Sequence, residues 1–361
     1  MRIRVSMTAS PILLSATHIT FDTAGAERLA QLGATNVVRA HESLLIGPSR
    51  PVPAEHVRMR EVWFSWCEQC SDSDDAGEKW DRLYSSDLRW NPPIVLWATK
   101  SLDDLVNIWR ICSYLRSLGI QCSDVLIMEF ERVYGTVKRF PEPPRIPPFD
   151  CSGTIAHHAD EVLLDRLGKA RPWPVERYER AIGLWESYAD ENPLPFVESC
   201  IAGVEGFPEL ASLWALLSCF FPRRATTGAL SLSRYDDLIL AILSVEEWQT
   251  PVRVICNRSQ LGEHLLDLVS CTGDLYLGDR LAQWAKHDSG AAVERAPGPK
   301  PPNAGYPLLS EVYRLTERGM RLRDKGLDQL TDAPRLPIAG TEAYAASAPW
   351  VLLEDGRLAR L

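Results

Sequence analysis

The chain has 361 residues, of which 45% are hydrophobic and 24% charged, and its formal net charge at pH 7 is -9. This length allows two or three domains, and the composition is that of a globular protein with a sizeable core. The negative charge argues against a general nucleic-acid binder, and no apolar run approaches the roughly 18 residues that span a bilayer.

The first residues of the chain and the cysteines indicate in which cellular compartment the protein is expected. The apolar stretch within MRIRVSMTASPILLSAT is broken by Ser, Thr and Pro, so we expect no signal peptide. The nine cysteines are an odd number without framework spacing, and we expect reduced thiols in a cytoplasmic protein.

Strand and helix signals alternate over the first 130 residues. A strand at His18–Phe21 meets a polar turn at Asp22–Gly25, from which a helix runs to Leu32. Later elements have the same alternating character: a strand at Asn36–Arg39, a strand at Pro93–Trp97, a helix capped by Ser101 that ends at Gly119, and a strand at Asp124–Phe130. This alternation predicts an open, mostly parallel sheet.

The rest of the chain is mainly helical. Helical apolar spacing occurs at Val175–Ala189, Leu194–Val204, Glu209–Phe220, Ser231–Ser244, Asp279–Lys286 and Thr316–Lys325. Asp355-Gly356 between apolar runs predicts a terminal hairpin. Proline-dense stretches divide the chain into an α/β domain (1–140), a linker (141–152), a helical domain (153–295) and a C-terminal segment (296–361).

Several separated blocks resemble a bacterial family that carries a domain of unknown function 1835 at its N-terminus and a helical companion domain at its C-terminus. The blocks in this chain are His18–Gly25, His41–Pro48, Ile94–Trp97, Phe221–Arg224, Gly228–Ser231, Leu277–Asp279, Tyr313–Gly319 and the terminal hairpin. The resemblance implies a Rossmann-like first domain and carries no established activity. Tyr313–Gly319 also resembles the end of a winged helix-turn-helix, so we expect a winged-helix-like C-terminal end.

Polar side chains follow three of the predicted strands. Asp22 and Thr23 follow the first, His41, Glu42 and Ser43 follow the second, and Lys100 follows the third after Trp97. Ligands bind beyond the carboxyl ends of strands in open parallel sheets, so we expect these side chains to converge there. An alternative interpretation is that they are ordinary loop residues and helix caps.

The convergence predicts acid–base chemistry. His41 titrates nearest neutrality and would act with Asp22 or Glu42 as the catalytic residues. Substrate binding is assigned to other polar and aromatic side chains, which are Thr23, Ser43, Trp97, Lys100, Arg223 and Arg224. A solvated basic loop is the alternative for the two arginines.

Cofactor and metal signatures are absent from the sequence. It has no Walker A loop, no Gly-x-Gly-x-x-Gly fingerprint and no His-Glu-x-x-His motif. Cys67 and Cys70 form a Cys-x-x-Cys pair without the second pair that a structural zinc needs. We therefore expect neither cofactor nor metal.

Two functional hypotheses remain. The first is a cofactor-independent enzyme acting on a small polar or anionic molecule, with no membrane and no nucleic-acid partner and with a homo-oligomer left open. The second is a regulatory or partner-binding protein that acts through the winged-helix-like C-terminal part. From Leu309 onwards eight basic residues are balanced by eight acidic ones, which disfavours DNA binding.

Overall fold

The computed structural model describes residues 11–40, 42–66, 83–84, 88–131, 148–151, 153–287, 290–300, 307–347 and 349–361. It is a mixed α/β protein, and the described part holds thirteen α-helices. The helices are α1 Pro11–Ser15, α2 Thr23–Gln31, α3 Pro53–Trp66, α4 Leu102–Ser117, α5 Asp160–Gly168, α6 Val175–Tyr188, α7 Leu194–Ala202, α8 Leu210–Ser218, α9 Arg234–Ile242, α10 Pro251–Ile255, α11 Gln260–Thr272, α12 Asp274–Lys286 and α13 Glu317–Lys325.

The strands are short and belong to four sheets. They are β1 Thr17–Thr20, β2 Val37–Arg39, β3 Gly47–Pro48, β4 Ile94–Thr99, β5 Val125–Phe130, β6 Arg223–Arg224, β7 Leu230–Ser231, β8 Val293–Pro297, β9 Glu311–Leu315, β10 Leu336–Ala339, β11 Thr341–Ala343, β12 Trp350–Leu353 and β13 Leu358–Arg360. The sheet orders are β2-β1-β4-β5, β11-β10-β3, β13-β12-β6-β7 and β8-β9.

Two compact units divide the chain. The first comprises Met1–Ser43 and Gly77–Trp185, and the second comprises Leu44–Ala76 and Glu186–Leu361. Each unit is assembled from two separate stretches of sequence. Most of the linker predicted at 141–152 lies outside the described residues, so the predicted domain boundaries stay predictions.

The first unit is built on the parallel sheet β2-β1-β4-β5, in which all three strand pairs are parallel. Every residue of β4 is buried, which is the pattern of a strand covered on both faces. Its core is apolar and consists of Leu13, Ala16, Leu29, Val95, Trp97, Met128, Phe130, Ile155, Leu163 and Leu167. The predicted parallel sheet is confirmed.

The second unit holds most of the helices and three small sheets. The terminal hairpin is confirmed: β12 and β13 pair antiparallel, and Gly356 in their turn has a φ of 80°, which glycine adopts without strain. Helix α12 begins five residues before the predicted Asp279, because Gly273 ends α11 and caps the start of α12. Within the described residues, no helix has the length and apolar character needed to cross a membrane.

The cysteines differ from the expectation of nine reduced thiols. Cys151 and Cys271 are disulfide-bonded, so the expectation is wrong for these two. The free thiols of the described residues are Cys112, Cys122, Cys200, Cys219 and Cys256. Sequence spacing alone does not show which cysteines a fold brings within bonding distance. The Cys67-x-x-Cys70 pair lies outside the described residues.

Candidate functional site

The strand order of the parallel sheet reverses direction between β1 and β4. The chain passes from β1 through α2 to β2 on one side, whereas β4 pairs with the other side of β1. In open parallel sheets, ligands bind beyond the carboxyl ends of the strands at such a switch point. β1 ends at Thr20 and β4 ends at Thr99, so these two ends define the candidate site.

Asp22 begins helix α2 and stands at this edge. Its Oδ1 accepts hydrogen bonds from the backbone N–H of Gly25 and from the Thr154 hydroxyl, both at 2.7 Å. The side chain is the N-cap of α2, which explains why a polar turn ends β1 and starts a helix at once. Asp22 is only partly buried, so its carboxylate is fixed in place without being sealed from solvent.

The Thr20 hydroxyl lies beside Asp22. A Cβ added at Gly25 would come within 2.7 Å of both Thr20 Oγ1 and Asp22 Oδ2, so both oxygens pack closely against this glycine. Thr20 is fully buried, and no described group forms a hydrogen bond with its hydroxyl. A buried hydroxyl without a partner costs about 1–3 kcal/mol, so a hydrogen bond made to Thr20 would be favourable.

Helix α4 begins at the carboxyl end of β4. Ser101 caps the helix through its hydroxyl, which accepts the N–H of Asp104 at 3.2 Å. Asp104 reaches back in turn, and its Oδ2 accepts both the N–H and the hydroxyl of Thr99 at 2.7 Å. This reciprocal arrangement resembles a capping box in which the third helical residue turns back to the preceding strand.

Burial changes the protonation of Asp104. Removal from water raises the pKa of this carboxyl to about 8, the two hydrogen bonds from Thr99 oppose the rise, and the charges of Asp103 and Asp22 add to it. Asp104 therefore carries a proton at neutral pH.

The segment around Gly153 connects the two strand ends. Thr154 donates to Asp22 at the end of β1, and Gly153 packs against Thr99 at the end of β4. The carbonyls of Asp150 and Cys151 accept the first N–H groups of α4, from Leu102 and Asp103. The start of α4 is thus satisfied by the protein itself.

Gly153→Ala is expected to disturb this segment. The added Cβ would lie 2.3 Å from Thr99 Oγ1 and 2.8 Å from Thr99 Cβ, so one of the two chains must move. Overpacking of this kind costs about 1–3 kcal/mol. The urea midpoint should fall for Gly153→Ala and stay equal or rise for Gly168→Ala, because nothing lies within 4 Å of the added carbon at that helical control position. Equal midpoints would contradict the close approach.

Glu42 and Ser43 follow β2, and the structure separates their environments. Glu42 is 1% exposed and pairs with Arg110, whose Nη1 lies 2.7 Å from its Oε2. Arg110 also donates to the Ala40 carbonyl at 2.6 Å. This buried ion pair fits a role in packing better than proton transfer with a ligand. Ser43 is half-buried, and His41 lies outside the described residues.

Trp97 lies in the core of the first unit. It is 1% exposed, its Nε1 donates to His18 Nδ1 at 3.0 Å, and its ring stacks on Phe130. His18 Nε2 is 3.2 Å from the Leu13 carbonyl, and burial lowers the pKa of His18. The imidazole is therefore neutral, and this pair holds β1 against β4 rather than forming a ligand wall.

Two of the three predicted cationic groups, Lys100 and Arg223, are paired with protein acids. Lys100 Nζ lies 2.5 Å from Glu131 Oε1, and the exposed Thr23 hydroxyl accepts from Arg39 at 2.7 Å. Arg223 forms an ion pair with Asp237 at 3.0 Å and belongs, with the exposed Arg224, to β6 in the second unit. Of the predicted set, Asp22 has the geometry closest to that of a ligand-binding group.

Four members of this site were not predicted from the sequence, namely Thr20, Thr99, Asp104 and Thr154. The signal for Asp104 is the Ser-x-x-Asp spacing with Ser101, which indicates a cap whose carboxyl turns back. Across the described residues, no group of three or more His, Cys, Asp or Glu side chains is arranged to hold a metal ion. Comparison of the sequence with protein-family models and with curated proteins finds no match.

Proposed function

We propose that the protein is an enzyme that carries out acid–base chemistry on a small polar molecule at the carboxyl edge of the parallel sheet. The observation that carries the proposal is that the Asp22 carboxylate and the buried Thr20 hydroxyl both lie against Gly25 at the switch point. Switch points are the usual ligand positions of such sheets. We also propose that the first unit is a Rossmann-like domain that binds its ligand at this edge. The identity of the substrate is left to experiment.

Asp22 is proposed as the catalytic base and Thr20 as a hydrogen-bonding partner of the substrate. Two hydrogen bonds hold Asp22 Oδ1, so its carboxylate is oriented before a ligand arrives. Asp104 is proposed as a positioning residue that holds Thr99. His41, which lies outside the described residues, stays in the proposal as the second acid–base group on its sequence position alone.

The charges at this edge favour an uncharged or cationic substrate. Asp22 and Asp103 both interact electrostatically with Asp104, and Lys100, the predicted anchor for an anion, is paired with Glu131. A further negative charge would be repelled here. We therefore narrow the expected ligand from polar or anionic to polar.

A regulatory role through a winged-helix-like C-terminal part is the second candidate, and it has less support. Three of the arginines on and beside α13 are paired with acids: Arg314 with Glu294, Arg318 with Asp332 and Arg323 with Asp324. A face neutralised in this way is a poor match for nucleic-acid phosphates. Cytoplasmic location and membership of the domain of unknown function 1835 family remain proposals that rest on the sequence.

The test is a thermal-shift screen with polyols, sugars, amino sugars and nucleosides, each beside its phosphorylated form. We expect an unphosphorylated compound to raise the melting temperature of the wild type and of Asp124→Asn but not of Asp22→Asn. Asp124 precedes β5 at the opposite, amino edge of the sheet and is the matched control. The amide oxygen that Asp22→Asn introduces can still accept from Gly25, so the variant should fold.

Turnover of the bound compound should fall by about 100-fold or more in Asp22→Asn, the usual contribution of a general base. Equal turnover or equal thermal shifts in Asp22→Asn and the wild type would contradict the proposal. A preference for the phosphorylated forms would contradict the assignment of substrate charge.

A further inference from the structure

The second unit contains a cavity of about 670 Å³ that is separate from the site proposed above. Its walls come from α3, α12 and the chain around β10 and β11. Cavities of roughly 300–1,000 Å³ are typical of small-molecule sites. The residues that line it carry both signs of charge together with aromatic surface, which restricts the kind of ligand.

Charged side chains of both signs face the cavity. Lys286 and Arg335 supply positive charge, whereas Asp279 and Glu342 supply negative charge. Arg335 Nη1 lies 3.7 Å from Glu342 Oε2, and these side chains are 68% and 41% exposed. Such a loose and solvated pair contributes little by itself and can rearrange to bind charged groups of a ligand.

A buried arginine fixes the wall from behind. Arg280 is 0% exposed, and its Nη1 donates to Gln283 Oε1 at 2.8 Å and to the Arg335 carbonyl at 3.0 Å. Gln283 in turn holds the side chain of Asp279, because its Nε2 donates to Asp279 Oδ2 at 2.7 Å. The side chains of Gln283 and Asp279 and the backbone at Arg335 are therefore held in place before a ligand enters, which lowers the entropic cost of binding.

Trp63 and Tyr344 supply aromatic surface in the cavity. Tyr344 has a φ of 63°, a left-handed conformation that is rare for a bulky residue and persists only where the surroundings enforce it. Its hydroxyl accepts the N–H of Ser233 at 2.6 Å, which supplies that restraint. Trp63 contributes the second ring.

We propose that this cavity binds a zwitterionic α-amino acid compound, either a free amino acid or a short peptide. The carboxylate lies towards Lys286 and Arg335, the ammonium group lies towards Asp279 and Glu342, and an apolar side chain packs on Trp63. The two acids in the wall repel phosphates and other polyanions, so nucleotides are excluded by the same charges.

The test is isothermal titration calorimetry of the full chain with the twenty amino acids and with L-alanyl-L-phenylalanine. We expect saturable binding of at least one of these, and at least about tenfold weaker binding in Arg335→Gln and in Glu342→Gln, since each loses a charge-assisted hydrogen bond. Arg357→Gln is the matched control, because it removes an exposed arginine paired with Asp355 on the terminal hairpin. It should bind as the wild type does.

Analogues with one charged group capped test whether binding needs both the ammonium and the carboxylate. N-acetylation or amidation of the bound compound should abolish binding, because each removes one of the two charges. The relative affinities of the amino acids and the dipeptide tell which of these two sources fits the cavity. Absence of saturable binding with every probe at millimolar concentration, or equal binding of the capped analogues, would overturn the proposal.

Discussion

Asp236→Ala is expected to destabilise the second unit by about 3–5 kcal/mol. Asp236 is fully buried, and its two oxygens accept from Arg280 Nε and Nη2 at 2.8 Å and from Trp284 Nε1 at 2.8 Å. Removal of the carboxylate leaves the buried guanidinium of Arg280 without its counter-charge. The same change frees the wall of the cavity in that unit, because Arg280 holds it.

The matched control is the neighbouring Asp237→Ala. Asp237 also pairs with an arginine, Arg223 at 3.0 Å, but both side chains are partly exposed, at 41% and 43%. Exposed pairs contribute about 0–1 kcal/mol. The urea midpoint should therefore fall much further for Asp236→Ala than for Asp237→Ala. Similar falls in the two midpoints would show that the buried pair contributes no more stability than the exposed pair.

A pH-dependent stability difference is expected from Asp104. Burial raises the pKa of its carboxyl from 3.8 to about 8. Between these values the folded chain retains a proton that the unfolded chain releases, so a rise in pH favours unfolding. The stabilisation is fully present below about pH 4 and is lost as the pH rises towards 8.

Asp104→Asn removes this titration while its amide oxygen can still accept from Thr99. One pKa unit corresponds to about 1.4 kcal/mol, so the stability of Asp104→Asn relative to the wild type should rise by at least about 2 kcal/mol between pH 5 and pH 9. Asp165→Asn, on the exposed surface of α5, is the control, and its relative stability should stay constant. A constant difference for Asp104→Asn as well would show that its carboxyl titrates normally.

Asp104 and Asp236 occupy the same position after a capping serine, but the pKa of Asp104 is raised and that of Asp236 is lowered. Burial alone would raise the pKa of Asp236, but the charge and hydrogen bonds of Arg280 hold it below its usual value. The charges that act on the pKa of Asp104 are those of Asp103 and Asp22, and they raise it further. The Ser-x-x-Asp pattern thus predicts the cap, whereas the tertiary environment decides the charge.

Local signals predicted much of the first unit. The N-cap serine of α4, the alternation of β1, α2 and β2, and the Asp355-Gly356 turn of the second unit all act within a few residues, so the sequence alone indicates them. The pairing of β3 with β10 joins Gly47 to Ile338, and both strands are too short to leave a pattern. Such contacts depend on the whole fold, which explains why that sheet was not predicted.

The candidate site was predicted in part. Asp22 follows from the strand-to-helix turn, because a helix start at that turn needs a polar cap. Trp97 was expected to face a ligand, but a strand buried on both faces directs its side chain into the core. Nothing in the local sequence shows that Thr154 would reach Asp22, since 132 positions separate them.

Methyl NMR of selectively labelled threonines is the most direct test of ligand binding at Thr20 and Asp22. On titration with the compound found in the thermal-shift screen, we expect the largest shift changes at the methyl groups of Thr20, Thr99 and Thr154, and their loss in Asp22→Asn. Shift changes confined to the threonines of the second unit, such as Thr226 and Thr250, would contradict it.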